Sequence, residues 1–280
     1  MIGDRLRLDD RTIVIAGAGG GGIGTAVCRA AAELGANVVG IDIDTDALSI
    51  AEAAATDGGG RFHGVLANVC EQPDVDRAFA EAVEVFGAVD GMVHVVGGQR
   101  PEHWHSIDGY PATNLDEVFN LNVRSALLTS QAAASEMMAA GRPGSIVHIS
   151  SIASFFAAPY SLAYGVAKAG LNSMTRTMAV EWGSHGVRVN GVAAGTIRTP
   201  NSRGGDGGNT ERDAVLPLKR RGTPEELASA VMFMLSDLSA FVTGQTLAVD
   251  GGSMVRPSYL GPDEVPVFME DGELRRRLAE

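Results

Sequence analysis

Residues 11–16 read RTIVIA, a short β-branched apolar run, followed at once by GAGGGGIG and then by TAVCRAAAELG, whose small apolar residues recur at helical spacing. A strand, a glycine loop and a helix in direct succession leave a chain few folds to adopt. Gly17-Ala18-Gly19-Gly20-Gly21-Gly22 satisfies GxGxxG, a pattern that says little alone and much more between a strand and a helix. In that setting glycines permit a tight turn and let a pyrophosphate approach a helix N-terminus, whose unpaired N–H groups and dipole favour an anion. Without those flanks the same run would be a floppy loop.

Residues 37–41 (NVVGI) predict a second strand ending at Asp42, about twenty residues beyond the loop, where a carboxylate can accept from adenosine ribose hydroxyls. DIDTDALSIAEAAATDGGG then reads as a loop and an amphipathic helix stopped by glycines. Residues 61–69 supply a third strand, 74–86 a helix closed by Gly87, and 89–96 a fourth strand ending at Gly97-Gly98. Repeated βα units predict an α/β fold, a doubly wound parallel sheet with helices on both faces. Beyond it, 115–140 reads as one long helix, 144–150 as a fifth strand, 159–182 as a helix and 187–193 as a sixth strand. Residues 224–235 form a helix with Thr223 as N-cap, and 245–249 a seventh strand. Between them, 196–221 has poor periodicity and contains GGDGGN, the mark of a lid or binding loop. The expected organisation is one Rossmann-type domain over 1–252 and a C-terminal tail over 253–280.

A formal net charge of −12 argues against a polyanionic partner, because nucleic-acid binders need a basic footprint. The opening MIGDRLRLDD carries charges where a signal peptide needs its apolar stretch, and no run approaches the roughly 18 apolar residues of a membrane span. Cys28 and Cys70 lack metal spacing and read as buried thiols of a reducing compartment, so the expectation is a cytoplasmic protein. His103 and His105 have no third ligand in view, so no metal is expected.

Residues 151–170, SIASFFAAPYSLAYGVAKAG, place Tyr164 and Lys168 four residues apart, hence on one helical face, after a serine and a short apolar loop. A lysine ammonium near a phenol favours the phenolate. In isolation such a pair is far more often a surface tyrosine and a solvated lysine on an amphipathic helix. Tyr160, a rival phenol, lies two turns from Lys168, about 12 Å along the axis.

Taken in order, these residues resemble the short-chain dehydrogenase/reductase family, single-domain type, from about residue 11 to 252. The likeness rests on the glycine loop, Asn122 before the fifth strand, Ser151 thirteen residues before Tyr164, and Lys168. Gly195-Thr196-Ile197-Arg198-Thr199, PLKRRGTPEELA and the closing Val249-Asp250-Gly251-Gly252 extend it. The resemblance implies Tyr164 as acid/base, Lys168 as its pKa-lowering partner and ribose ligand, Ser151 as anchor of the substrate oxygen and Asn122 as holder of a relay water. It implies a dinucleotide seat built from Gly17, Gly19, Gly22, Ile23, Gly24, Asp42, Asn68, Val69, Gly97, Lys168, Ile197 and Thr199. Four departures stand out: a glycine loop one residue longer than the family's TGxxxGxG, His94-Val95-Val96-Gly97 in place of NNAG, Asn68 for the usual Asp, and Ala194 for the usual Pro.

The expected activity is therefore hydride transfer between a secondary alcohol or ketone and a nicotinamide cofactor. That cofactor is expected to be NAD, because Asp42 would repel a 2′-phosphate and no Arg or Lys follows in Ile43-Asp44-Thr45-Asp46. Two other functions fit the fold: a lyase or epimerase using NAD transiently, for which a tail of 28 residues is too short a substrate domain, and a dinucleotide sensor without chemistry. Gln99, Trp104, Phe155, Phe156 and Tyr160 are candidate substrate contacts, and their aromatic character suggests a medium-sized, largely apolar carbonyl compound. The resemblance also implies a homo-oligomer, a tetramer paired through the two long helices, where Ala126, Ala132, Ala133, Ala134, Ala169 and Gly170 allow close approach; the same alanines could instead pack on the sheet.

Overall fold

The computed structural model describes residues 1–200, 213–256 and 272–277. Seven parallel strands form one sheet in the order β3-β2-β1-β4-β5-β6-β7. They are β1 (Thr12–Ala16), β2 (Asn37–Asp42), β3 (Arg61–Leu66), β4 (Gly91–His94), β5 (Gly144–Ser151), β6 (Val187–Ala194) and β7 (Thr246–Val249). Strand β1 shows why the sequence runs apolar without alternation: all five residues are buried, Ile13 and Ile15 toward one face and Val14 and Ala16 toward the other. Helices α1 (Ile23–Glu33) and α2 (Thr45–Asp57) cover the first face together with α7 (Pro224–Leu235). Helices α3 (Gln72–Phe86), α5 (Ser125–Ala139) and α6 (Leu162–Trp182) cover the second.

Helix starts follow local chemistry. Asp44 caps α2 by accepting from the Asp46 and Ala47 amides at 2.8 and 3.2 Å. Thr223 and Glu226 form a reciprocal capping box on α7, as the TPEE stretch predicts. Helix α6 begins at Leu162 and not at 159, because Tyr160 takes a left-handed φ of 62° that ends any helix there.

The single helix expected over 115–140 is three pieces: α4 (Ala112–Phe119), a π-helical turn (Asn120–Arg124) and α5. Side chains account for the widened turn. The Asn122 amide donates to the Val118 carbonyl at 2.8 Å, and the Ser125 hydroxyl donates to the Leu121 carbonyl at 2.5 Å. Polar side chains that take up helix carbonyls compete with the regular ladder, and π-turns recur at functional sites. Among the described residues no helix is long and apolar enough to cross a membrane. Most of the tail expected over 253–280 lies outside the described residues, as does the centre of the 196–221 loop.

Candidate active site

Strand order reverses between β1 and β4, so a crevice opens at the carboxyl ends of those two strands, where open α/β sheets bind ligands. There the glycine loop, the ends of β2 and β4 and the segment after β6 enclose a cleft of about 580 Å³. Ten of the expected dinucleotide contacts line it: Gly17, Gly19, Gly22, Ile23, Gly24, Asp42, Asn68, Val69, Gly97 and Thr199. Ile197 and Lys168 do not; Ile197 instead bridges to Gly222. Ala67, Cys70, Val95, Leu121 and Pro200 join the lining without having been legible in the motif.

The additional loop residue is absorbed by a left-handed turn at Gly20 and Gly21, φ 80° and 69°, which only glycine adopts without strain. The loop is tied on both sides of that turn. Asp42 accepts from the Gly19 amide at 2.9 Å and from the Ile43 amide at 2.8 Å, and the Thr25 hydroxyl accepts from the Gly21 amide at 3.1 Å. Asp44, not Asp42, caps α2, which leaves the Asp42 carboxylate at the cleft wall. Helix α1 starts at Ile23 with no side-chain cap and no acidic residue in its first turn, so its free amides face the cleft as an anion seat. A dinucleotide fits this donor set: amides for the pyrophosphate, a carboxylate for a ribose. No Arg or Lys among the described residues lines the cleft.

Beside the cleft, β5 ends in Ser151 and α6 carries Tyr164 and Lys168. Lys168 is buried; its ammonium donates to the Ile149 carbonyl at 2.9 Å and lies 5.8 Å from the centre of the Tyr164 ring. Desolvation pulls its pKa down to about 8. Burial pushes the Tyr164 phenol above its ordinary value, and a hydrogen bond with Ser151 opposes that shift. The ammonium points at a carbonyl because a buried charge takes the nearest strong acceptor. Asn122 is fully buried and engaged with backbone: its oxygen accepts from the Gly98 amide and its NH₂ donates to the Gly98 and Val118 carbonyls, all at 2.8 Å. Only one lone pair of its oxygen remains for a water.

Segment 97–99 runs along the same face of α6. Gly97 abuts Lys168, and Gln99 donates to the Ser161 hydroxyl at 2.6 Å. Ser161, Tyr164 and Lys168 therefore form one stripe of the helix. Of the residues expected at the substrate, Phe155, Phe156 and Tyr160 are exposed and line, with Leu162, Val166 and Ala169, an apolar hollow of about 690 Å³ that shares no residue with the cleft. Leu162, Gly165 and Ala169 of that hollow each follow a residue of the catalytic stripe, which turns them about 100° around the helix. A third depression, about 710 Å³, lies at the opposite strand ends, where Arg11 pairs with Asp237 and Arg142 with Asp90. Among the described residues no cluster of histidine, cysteine or carboxylate side chains has the makings of a metal site; His103 is buried against Glu117 at 3.1 Å, and the His105 ring meets Tyr110 edge-on.

A family model described as enoyl-(acyl carrier protein) reductase matches residues 17–254. The chain belongs to the short-chain dehydrogenase/reductase family. It is 37% identical over 254 residues to 2-(S)-hydroxypropyl-CoM dehydrogenase 3 of Xanthobacter autotrophicus, covering 88% of this chain and 97% of that one. It is 35% identical to the L-rhamnose 1-dehydrogenase (NAD(P)(+)) of a Sphingomonas species, covering 89% and 98%. Its fold matches that of a gluconate 5-dehydrogenase from Burkholderia cenocepacia in complex with NADP and tartrate, with TM-score 0.83, 31% identity, and 92% and 100% of the two chains covered.

Against the short-chain dehydrogenase/reductase pattern, His94 is the departure with the largest structural consequence. His94 and His148 sit opposite each other on β4 and β5, both fully buried. Hydroxyls clamp each ring: Ser125 and Thr129 at 3.1 and 3.0 Å from His94, Ser130 and Thr175 at 2.9 and 2.8 Å from His148. Burial and the nearby charges, Lys168 among them, hold His94 well below the ordinary imidazole range and His148 at about 3. The pair is a neutral polar floor beneath Lys168.

Proposed function

We propose that this protein is an NAD-linked dehydrogenase that interconverts a secondary alcohol and a ketone, with Tyr164 as general acid/base. The observation that carries the reading is the Tyr164–Lys168 stripe of α6, with Ser151 at the phenol, standing beside a cleft whose wall is Asp42 and whose floor is the open end of α1. When bound, NAD supplies the hydride acceptor and, in its oxidised form, a positive ring. In this reading Ser151 donates to the substrate oxygen and Tyr164 takes or returns that oxygen's proton. Lys168, anchored on Ile149, holds ribose and keeps positive charge near the phenol. Asn122 sets the height of Gly98 and hence of the cleft wall. The hydroxylated compounds in the names of the two relatives favour alcohol oxidation over lyase or sensor roles.

The reading extends to residues 1–252 as one catalytic domain, a cytoplasmic setting, and a homotetramer paired through α5 and α6, whose Val166 and Val180 are exposed. Light scattering that returned a monomer at micromolar concentration would remove the last of these. The activity itself is tested by incubating the protein with NAD and a panel of secondary alcohols and following reduced nicotinamide. Tyr164→Phe is expected to lose about 100-fold or more in kcat while dinucleotide affinity stays within a few-fold. Retention of more than about a tenth of kcat overturns the role given to Tyr164.

A further inference from the structure

Four successive residues at the end of β5 each meet one residue of α6: His148 meets Thr175, Ile149 meets Lys168, Ser150 meets Asn172 and Ser151 meets Tyr164. The α6 partners are spaced four, four and three residues apart and so share one face. Asn172 is the member of this face with no part in the chemistry so far. It is buried in the middle of a helix, where an asparagine is a poor helix former and its amide is costly to bury.

Both of its side-chain bonds leave the helix. The Ser150 hydroxyl donates to its oxygen at 2.7 Å, and its NH₂ donates to the Ser154 hydroxyl at 2.7 Å. Ser154 in turn donates to the Ser151 carbonyl at 2.5 Å. A carbonyl only accepts, so the one proton of Ser154 goes there and its oxygen must accept from Asn172, which fixes the way the amide faces. The amide therefore ties the strand residue before Ser151 to the turn residue three after it. That turn has little else to hold it: residues 152–156 run from a 3₁₀ turn into two exposed phenylalanines, and none of them is buried. Yet the turn sets the catalytic hydroxyl. The Ala153 amide donates to Ser151 Oγ at 3.2 Å, which occupies one lone pair and leaves the Ser151 proton available. An error of about 1 Å in the placement of such a group costs on the order of 100-fold in rate.

We propose that Asn172 is a positioning residue: it ties the turn after β5 to the strand and so holds the Ser151 hydroxyl where it donates to the substrate oxygen. This rests on the dehydrogenase reading. Asn172 acts through Ser154 and Ser151, so its effect on the reaction is separable from its effect on folding.

The test compares Asn172→Leu, of nearly the same volume, with Ser154→Ala and the double variant in the full chain, kinetics being scaled to the folded fraction from circular dichroism. Hydrogen exchange resolved to the Ala153 amide needs no substrate. In Asn172→Leu it is expected to quicken about tenfold or more while the α6 amides keep their protection. With the secondary alcohol that turns over best, kcat/KM is expected to fall about 10- to 100-fold in each single variant and no further in the double variant, with the NAD dissociation constant within about twofold of wild type. A residue that merely stabilised the helix would lower the melting temperature and leave Ala153 exchange and kcat/KM alone. Ser154→Ala removes one hydroxyl from a half-buried turn, and it carries both readouts should Asn172→Leu not fold. Unaltered Ala153 exchange, kcat/KM within about threefold of wild type, or losses that multiply in the double variant overturns the positioning role and leaves the dehydrogenase reading intact. Absence of turnover with every alcohol and ketone overturns that reading, and this one with it, however the Ala153 amide behaves.

Discussion

A Cβ built on Gly97 would stand 2.7 Å from the Lys168 ammonium and 2.7 Å from the Asn122 side-chain oxygen. Neither neighbour can give way, since Lys168 is bonded to Ile149 and Asn122 holds Gly98 by two hydrogen bonds. Gly97→Ala is expected to cost about 1–3 kcal/mol of stability by overpacking and to lower kcat/KM by about 100-fold or more. Chemical denaturation beside steady-state kinetics checks both. Unchanged kinetics would mean that the wall can shift without disturbing the chemistry.

Lys168 is kept where its charge is unwelcome. Its folded pKa of about 8 lies below the ordinary 10.5, so the unfolded chain binds more protons between those values and stability rises with pH across that window. A shift of that size corresponds to about 3 kcal/mol, present in full as a penalty below pH 8. Lys168→Met loses the Ile149 bond, worth about 1 kcal/mol, yet is expected to be about 2 kcal/mol more stable at pH 7 and catalytically dead. Urea unfolding at pH 7 and pH 10 reads the slope, which the Met variant should lack.

The histidine pair makes the fold acid-sensitive. Both rings are neutral when folded and charge when released, so stability is complete above about pH 6.5 and falls as pH drops. Two protons taken up on unfolding give a slope of about 2.7 kcal/mol per pH unit near pH 5. His94→Asn with His148→Asn is expected to flatten that slope. An equally steep profile in the double variant would place acid lability in the carboxylates instead.

Asp42 has two tasks, wall of the cleft and tether of Gly19. Charge-assisted bonds to ribose hydroxyls, at about 1.5–3 kcal/mol each, predict a preference for NAD over NADP of about 100-fold or more. Asp42→Ala is expected to raise the KM for NAD at least about tenfold and to bring the two kcat/KM values together. A ratio below about ten in the wild type would show that the carboxylate serves the loop alone.

The chain by itself determined whatever depends on near neighbours. Strand–loop–helix succession, the cap at Thr223, the face shared by Tyr164 and Lys168 and the carboxylate closing β2 all follow from spacing and residue type. The parallel sheet followed because apolar runs buried on both faces have no other packing. Only tertiary structure decided the rest. Gln99 meets Ser161 across 62 residues, His94 faces His148 through strand register, and the π-turn at Asn122 exists because side chains took carbonyls from a helix whose apolar period gave no warning. Lys168 likewise turned to a carbonyl 19 residues away that no motif contains. Such pairings depend on long-range geometry and on desolvation, and neither is written in local pattern.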